Sequence, residues 1–270
     1  MANGSIRSGP FESEVSLLIT NKGDDIVKDI AGLTSILEYD LKPRPVHRIR
    51  DTYYDTRLGL LRKKKIGLRI RRIDGKLLVS MKSNPQRIEG EGVRRIEIEA
   101  PWSPLSLARI QKTLKNSPSK GKSRFSARSP SDAFASMGLV VIQERTTRRT
   151  VRDIFRHDRP TRTPLAELGI DSVTFIGQRK VRIFEVEIEA KGNRSPKKIQ
   201  EIAKTLQSTY SGFLREWPYG KLATGLAIQN LLNSGVLQSY LEHDRLEAGA
   251  FPVIERSIMS NILAATSGAG

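Results

Sequence analysis

In six separate stretches of this chain, polar and mostly charged side chains recur at every second residue, in four of them with apolar residues between. Only an extended strand places residues i, i+2 and i+4 on one face, so this spacing predicts strands with one apolar and one charged face. The charged sets are Glu12 and Glu14; Arg69 and Arg71; Ser80 and Lys82; Arg95, Glu97 and Glu99; Arg145, Thr147 and Arg149; and Glu185, Glu187 and Glu189. Opposite them lie Leu68 and Ile70, Met81, Ile96 and Ile98, and Phe184, Val186 and Ile188. Asp74-Gly75, set between runs 66–73 and 76–82, is a strong two-residue hairpin signal.

For any one strand, a solvated outer face explains such a pattern. Six such faces, dominated by Arg, Lys and Glu rather than Ser, Thr, Asn and Gln, predict charges gathered into the lumen of a closed barrel. Buried ions without partners are costly, so a lumen of this kind makes sense when it holds both a polyanion and a cation. Arg offers a fork that matches phosphate oxygens. A group of carboxylates with no opposing lysine invites a hard divalent cation such as Mg²⁺ or Mn²⁺.

Composition agrees with a polyanion. The 270 residues carry 46 Lys and Arg against 29 Asp and Glu, a net charge of +17, which attracts nucleic acid, anionic lipid or a phosphorylated small molecule alike. There is no cysteine, which excludes thiol nucleophiles, disulfides and cysteine zinc sites. His47, His157 and His243 show no metal-ligand spacing and read as surface or packing residues. No apolar run reaches the roughly 18 residues of a membrane-spanning helix, and the first residues lack the apolar core of a signal peptide. A cytoplasmic protein with no membrane partner is the expectation.

Helical spacing is predicted over 24–38, 104–114, 131–137, 195–214 and 221–241. Residues 115–131, basic and serine-rich, read as a solvated loop, with nucleic acid a less favoured partner because no aromatic ladder accompanies the charge. The expected organisation is one domain over 11–226, with a helical and basic-loop insertion at 101–138, followed by a C-terminal helix and frayed tail over 227–270.

These residues resemble the CYTH superfamily, the triphosphate tunnel metalloenzymes, through several dispersed motifs in the right order. The opening E-x-E-x-K of the family resembles Glu12-Ser13-Glu14-Val15-Ser16. Its tyrosine and arginine block resembles Tyr53-Tyr54-Asp55-Thr56 followed by Leu68-Arg69-Ile70-Arg71. The lysine strand resembles Val79-Ser80-Met81-Lys82, and the R-x-E-x-E strand Arg95 to Glu99. The closing acidic strands resemble Glu167-Leu168 with Asp171-Ser172-Val173, and Phe184 to Glu189.

The resemblance implies an α+β fold built on an eight-stranded antiparallel β-barrel, or tunnel, with flanking helices. It implies metal ligation by Glu12, Glu14, Glu187 and Glu189, with the choice among Glu185, Glu187 and Glu189 left open. Arg69, Arg71, Lys82, Arg95, Arg145, Arg149 and Lys221 would grip phosphate, and Glu12, Glu14 and Lys82 would serve catalysis. The cofactor implied is Mg²⁺ or Mn²⁺. One departure stands out: the family's first-strand lysine is Ser16 here, which leaves a binding-competent but slow enzyme as one reading.

The expected function is metal-dependent hydrolysis of a triphosphate compound by in-line attack of water. Inorganic triphosphate is the first candidate, with a nucleoside or thiamine triphosphate behind it. A class IV adenylate cyclase and a non-catalytic polyphosphate- or RNA-binding module are the alternatives.

Overall fold

A computed structural model describes residues 13–83, 86–88, 92–94, 97–114, 129–158, 163–191 and 196–267. From the first described strand the order is β1 (Glu14–Ile19), α1 (Gly23–Gly32), β2 (Ser35–Ile36), β3 (Tyr39–Pro43), β4 (His47–Thr56), α2 (Leu60–Lys63), β5 (Ile66–Ile73) and β6 (Lys76–Ser83). There follow β7 (Gln86–Ile88), β8 (Gly92–Arg94), β9 (Glu97–Pro101), α3 (Pro104–Leu114), α4 (Pro130–Ala135), β10 (Leu139–Arg156), β11 (Ala166–Ile176) and β12 (Val181–Ala190). The last elements are α5 (Pro196–Thr209), β13 (Leu214–Glu216), α6 (Lys221–Asn233), β14 (Leu241–Glu242), β15 (Arg245–Leu246) and α7 (Ala250–Ser267). Two compact units divide the chain, one built on Ile49–Arg145 and the other on Gly9–Arg48 with Thr146–Gly270.

In the first unit the hydrogen-bonded order is β10-β4-β5-β6-β9, and the pairs of known register are antiparallel. Asp74 and Gly75 both take positive φ, as a twist-matched two-residue hairpin between β5 and β6 requires. The apolar face carries Tyr54, Leu68, Ile70, Val79 and Met81 onto Leu107, Ile110 and Leu114 of α3 and Phe134 of α4. Tyr54 and Trp102 both meet Phe134 edge-on, at 4.8 and 5.6 Å between ring centres. The sequence alternation is thus realised, apolar residues under the helices and Arg69, Arg71 and Lys82 on the other face.

In the second unit the order is β13-β1-β12-β11-β10, with β3 also paired to β10. One face of this sheet packs Val15, Leu17, Leu168, Ile170, Val186 and Ile188 against Ile26 and Ile30 of α1 and Ile199 and Ile202 of α5. The other face changes character along its length. Rows across β1, β12 and β11 read Glu14–Glu189–Glu167, then Ser16–Glu187–Gly169, then Leu18–Glu185–Asp171. Beyond them Ile183 and Val173, then Val181 and Phe175, enter a second core with Trp217, Ile228 and Ile254. A single face therefore runs from carboxylates into packed hydrocarbon, and Glu185 and Asp171 stand at that boundary.

Five expectations change. Among the described residues the strand order ends at β9 in one unit and β13 in the other, so the closed eight-stranded ring is replaced by an open order. β7 and β8 pair only with each other and do not extend it. The antiparallel α+β class stands, with one short parallel contact between β12 and β15. The helix expected over 24–38 stops at Gly32, because Leu33 turns extended and Leu37, at φ 51, closes a β2–β3 turn. The helix expected over 195–214 ends at Thr209 and gives way to β13, while the one expected over 221–241 ends at Asn233. Beyond 241, where a frayed tail was expected, the chain carries an 18-residue helix, α7, which buries Phe251, Ile254 and Ile258. Its small C-terminal residues had hidden this apolar face. No described helix is long and apolar enough to cross a membrane.

Candidate functional site

Each unit holds a charged cluster at its sheet, and the two differ in sign. In the first unit Asp51 is the hub. It lies on the same β4 face as Tyr53 and is 1% exposed. Arg71, from β5, donates to it in a fork, with Nε and Nη2 at 2.7 and 2.9 Å. Arg145, from β10, reaches the same carboxylate with Nε and Nη2 at 3.2 and 3.0 Å, and Arg69 Nη1 stands 3.7 Å away. The Tyr53 hydroxyl accepts from Arg145 Nη2 at 2.9 Å and Arg69 Nη1 at 3.2 Å. Across β4, β5, β6 and β9, Tyr53, Arg69, Ser80 and Glu99 share one row.

Three guanidiniums thus face one buried carboxylate, with Glu99, half exposed, 3.7 Å from Arg69. Burial alone would raise the Asp51 pKa. The hydrogen bond from Arg71 and the charges of Arg69 and Arg145 outweigh it and hold Asp51 well below the usual carboxylate range. Burial likewise acts to raise Tyr53, and Arg145 and Arg69 bring it below its ordinary value. Arg69 Nε and Arg145 Nη1 are buried donors without a hydrogen-bond partner among the described residues. A surplus of buried positive charge with donors unspent has the chemistry to accept an anion.

The motif Tyr53-Tyr54-Asp55-Thr56 divides its labour. Tyr53 enters the cluster and Tyr54 the core. Asp55 accepts from the Leu61 and Arg62 amides at 2.8 and 3.1 Å, capping the short helix α2 that leads into β5. Asp55 is therefore structural.

In the second unit the carboxylates gather. Arg149, on β10, donates to Asp171 through Nε and Nη2 at 2.7 and 2.5 Å and also to Glu187. Lys221, the first residue of α6, places Nζ 3.2 Å from Asp171 and 2.9 Å from Glu185, and pairs with Glu187 as well. Lys191 joins Glu167 and Glu189 at 3.2 and 3.1 Å. Burial would raise Glu187, but Lys221 and Arg149 hold it down at about 2. For Glu185, 2% exposed, burial prevails over Lys221 and raises the carboxyl to about 7.

The raised Glu185 value sets a sign. Between about 4.5 and 7 the folded chain keeps a proton that the unfolded chain has released, so this contribution is complete below that window and is lost as pH rises through it. Glu185→Gln, which stays neutral, is expected to gain stability relative to wild type from about pH 5 to about pH 8, by on the order of 1–3 kcal/mol. Urea unfolding at each pH reads this difference, and a flat one would contradict the placement of Glu185.

The positions expected from sequence fall as follows. Arg69, Arg71 and Arg145 come together, and Lys82 stands on the same sheet face, between Gly67 and Glu97 in register. Arg149 and Lys221, expected on phosphate, instead contact carboxylates. Glu187 and Glu189 lie on one face of β12, with Glu14 opposite Glu189. Glu12 and Arg95 lie outside the described residues. Sequence reasoning missed Asp51, Tyr53 and Asp171 as site residues; parity along β4 and β11 is the signal that finds them.

The resemblance implies Mg²⁺ or Mn²⁺, and the donor chemistry, carboxylate oxygen, suits either. Among the described residues, which leave out Glu12, the arrangement does not. The premise of carboxylates without an opposing lysine fails, because Lys221 lies among them. Among the described residues no group of three or more acidic or histidine side chains is placed to hold a metal.

The sequence profile of the CYTH domain matches residues 12–213. The chain belongs to the CYTH family. Solved structures similar to this CYTH protein include a Hippeastrum protein described as a candidate adenylyl cyclase with a dominant triphosphatase activity. It is 20% identical with a TM-score of 0.48, covering 83% of this chain and 96% of that one. A Bacillus halodurans protein described as a candidate adenylate cyclase is 16% identical, TM-score 0.44, over 78% and 94% of the two chains. Protein PH1819 of Pyrococcus horikoshii is 15% identical, TM-score 0.41, over 83% and 99%. No curated protein matches the chain.

Proposed function

We propose that this CYTH protein binds a triphosphate compound through Arg69, Arg71 and Arg145 and hydrolyses it, with inorganic triphosphate the first candidate. The observation that supports this most is the buried carboxylate facing three guanidiniums, with Arg69 Nε and Arg145 Nη1 unspent. Triphosphate presents several charged oxygens to such forks, and a guanidinium keeps its charge at any working pH. Water attacks the terminal phosphorus in line with the bridging oxygen. That P–O bond breaks, pyrophosphate leaves with the electron pair, and the water proton passes to solvent. The arginines act on the charge that builds on the phosphoryl oxygens and the leaving group.

A polyphosphate-binding module without turnover is the second reading. It is favoured by one observation, the neutralisation of the acidic cluster by Arg149 and Lys221. Phosphate release from inorganic triphosphate, ATP and thiamine triphosphate, each with Mg²⁺, Mn²⁺ or a chelator, separates the two. Turnover of inorganic triphosphate is the expected result. Tight binding without release of phosphate from any of the three would establish the binding module, and cyclic AMP from ATP would move the assignment to a cyclase.

A further inference from the structure

We infer that Lys221 is the resident counter-cation of the second unit's carboxylate cluster, and that it keeps divalent metal out of that cluster while the protein is free. An ammonium has three donors and no acceptor. Lys221 Nζ meets three carboxylates, those of Asp171, Glu185 and Glu187, so its capacity is filled. Its side chain is 10% exposed, and Asp171 and Glu185 are 0% and 2% exposed, so solvent does little to screen these pairs.

The sheet makes room for this cation. In the row that contains Glu187 the neighbours are Ser16 and Gly169, both small. A Cβ at Gly169 would meet the Arg149 guanidinium at 3.5 Å, an ordinary contact distance, and Arg149 shares Asp171 and Glu187 with Lys221. Lys221 is also held in place rather than mobile on the surface. It opens α6, whose start is fixed by Trp217, 1% exposed, donating through Nε1 to Thr224 at 2.9 Å.

A hard divalent ion needs the same lone pairs at closer range than an ammonium does. It must therefore displace Lys221, leaving that charge without partners. This goes beyond the proposed function and rests on the geometry of the second unit alone.

The test uses the full-length protein and Mn²⁺ alone, followed by the loss of the free-ion paramagnetic resonance signal. Lys221→Met is expected to bind Mn²⁺ at least tenfold more tightly than wild type, and the gain is expected to vanish in Lys221→Met/Glu187→Gln. Lys221→Gln gives the same comparison should the methionine variant fail to fold, with circular dichroism confirming the fold of each. Equal or weaker Mn²⁺ binding in the neutral variants, or a gain that survives Glu187→Gln, overturns the inference. Because no triphosphate is present, failure of the proposed substrate leaves this result standing.

Discussion

Asp51→Ala is expected to destabilise the protein by about 3–5 kcal/mol, the range for removing one partner of a buried ion pair. Arg71 and Arg145 both spend their forks on this carboxylate, and Arg69 leans on its charge. Without it, three guanidiniums converge on one another beside the half-exposed Glu99. Urea unfolding measures the loss. A second readout separates this from ordinary core damage: inorganic triphosphate should restore more stability to Asp51→Ala than it adds to wild type, since it supplies the missing negative charge. Equal stabilisation of the two proteins would show that the cluster does not take the anion.

Arg145→Ala is expected to weaken inorganic triphosphate binding by roughly 30- to 1,000-fold, which corresponds to about 2–4 kcal/mol and to the loss of one or two charge-assisted hydrogen bonds. Arg145 is the most buried of the three arginines, at 3% exposure, and its Nη1 is one of the two unspent donors. Asp51 keeps its fork from Arg71 in this variant, so the fold should hold while the anion is lost. Arg145→Lys keeps the charge without the fork and should recover only part of the affinity. Full recovery would mean that charge alone, and not the planar donor geometry, recognises the ligand. Calorimetric titration at fixed ionic strength compares all three proteins, because part of the attraction is screened by salt.

Much of this was legible in the sequence because strand parity is a local property. The sets Arg69 with Arg71 and Glu185 with Glu187 and Glu189 needed only alternation to be found, and the structure keeps each on one face. What alternation does not reveal is which strand a face meets. Asp51 reads as one of two acids in a basic and aromatic run, and only the β4–β5 and β10 neighbours make it a hub. Lys221 shows the same limit more sharply. As the first residue of a helix it carries no parity, and its place among Asp171, Glu185 and Glu187 follows from where Trp217 anchors that helix. The end of α1 at Gly32 is a third case, since the apolar spacing continues through Leu33 and Ile36 while the backbone has already turned into β2.

The central claim is that a polyphosphate is held by the arginine cluster around Asp51. It is tested most directly by titrating inorganic triphosphate into wild type and into Arg71→Ala/Arg145→Ala in the calorimeter, under one buffer and salt. A saturable one-to-one isotherm for wild type, absent in the folded double variant, is the result expected. No binding by wild type, or an isotherm unchanged in the double variant, would contradict it.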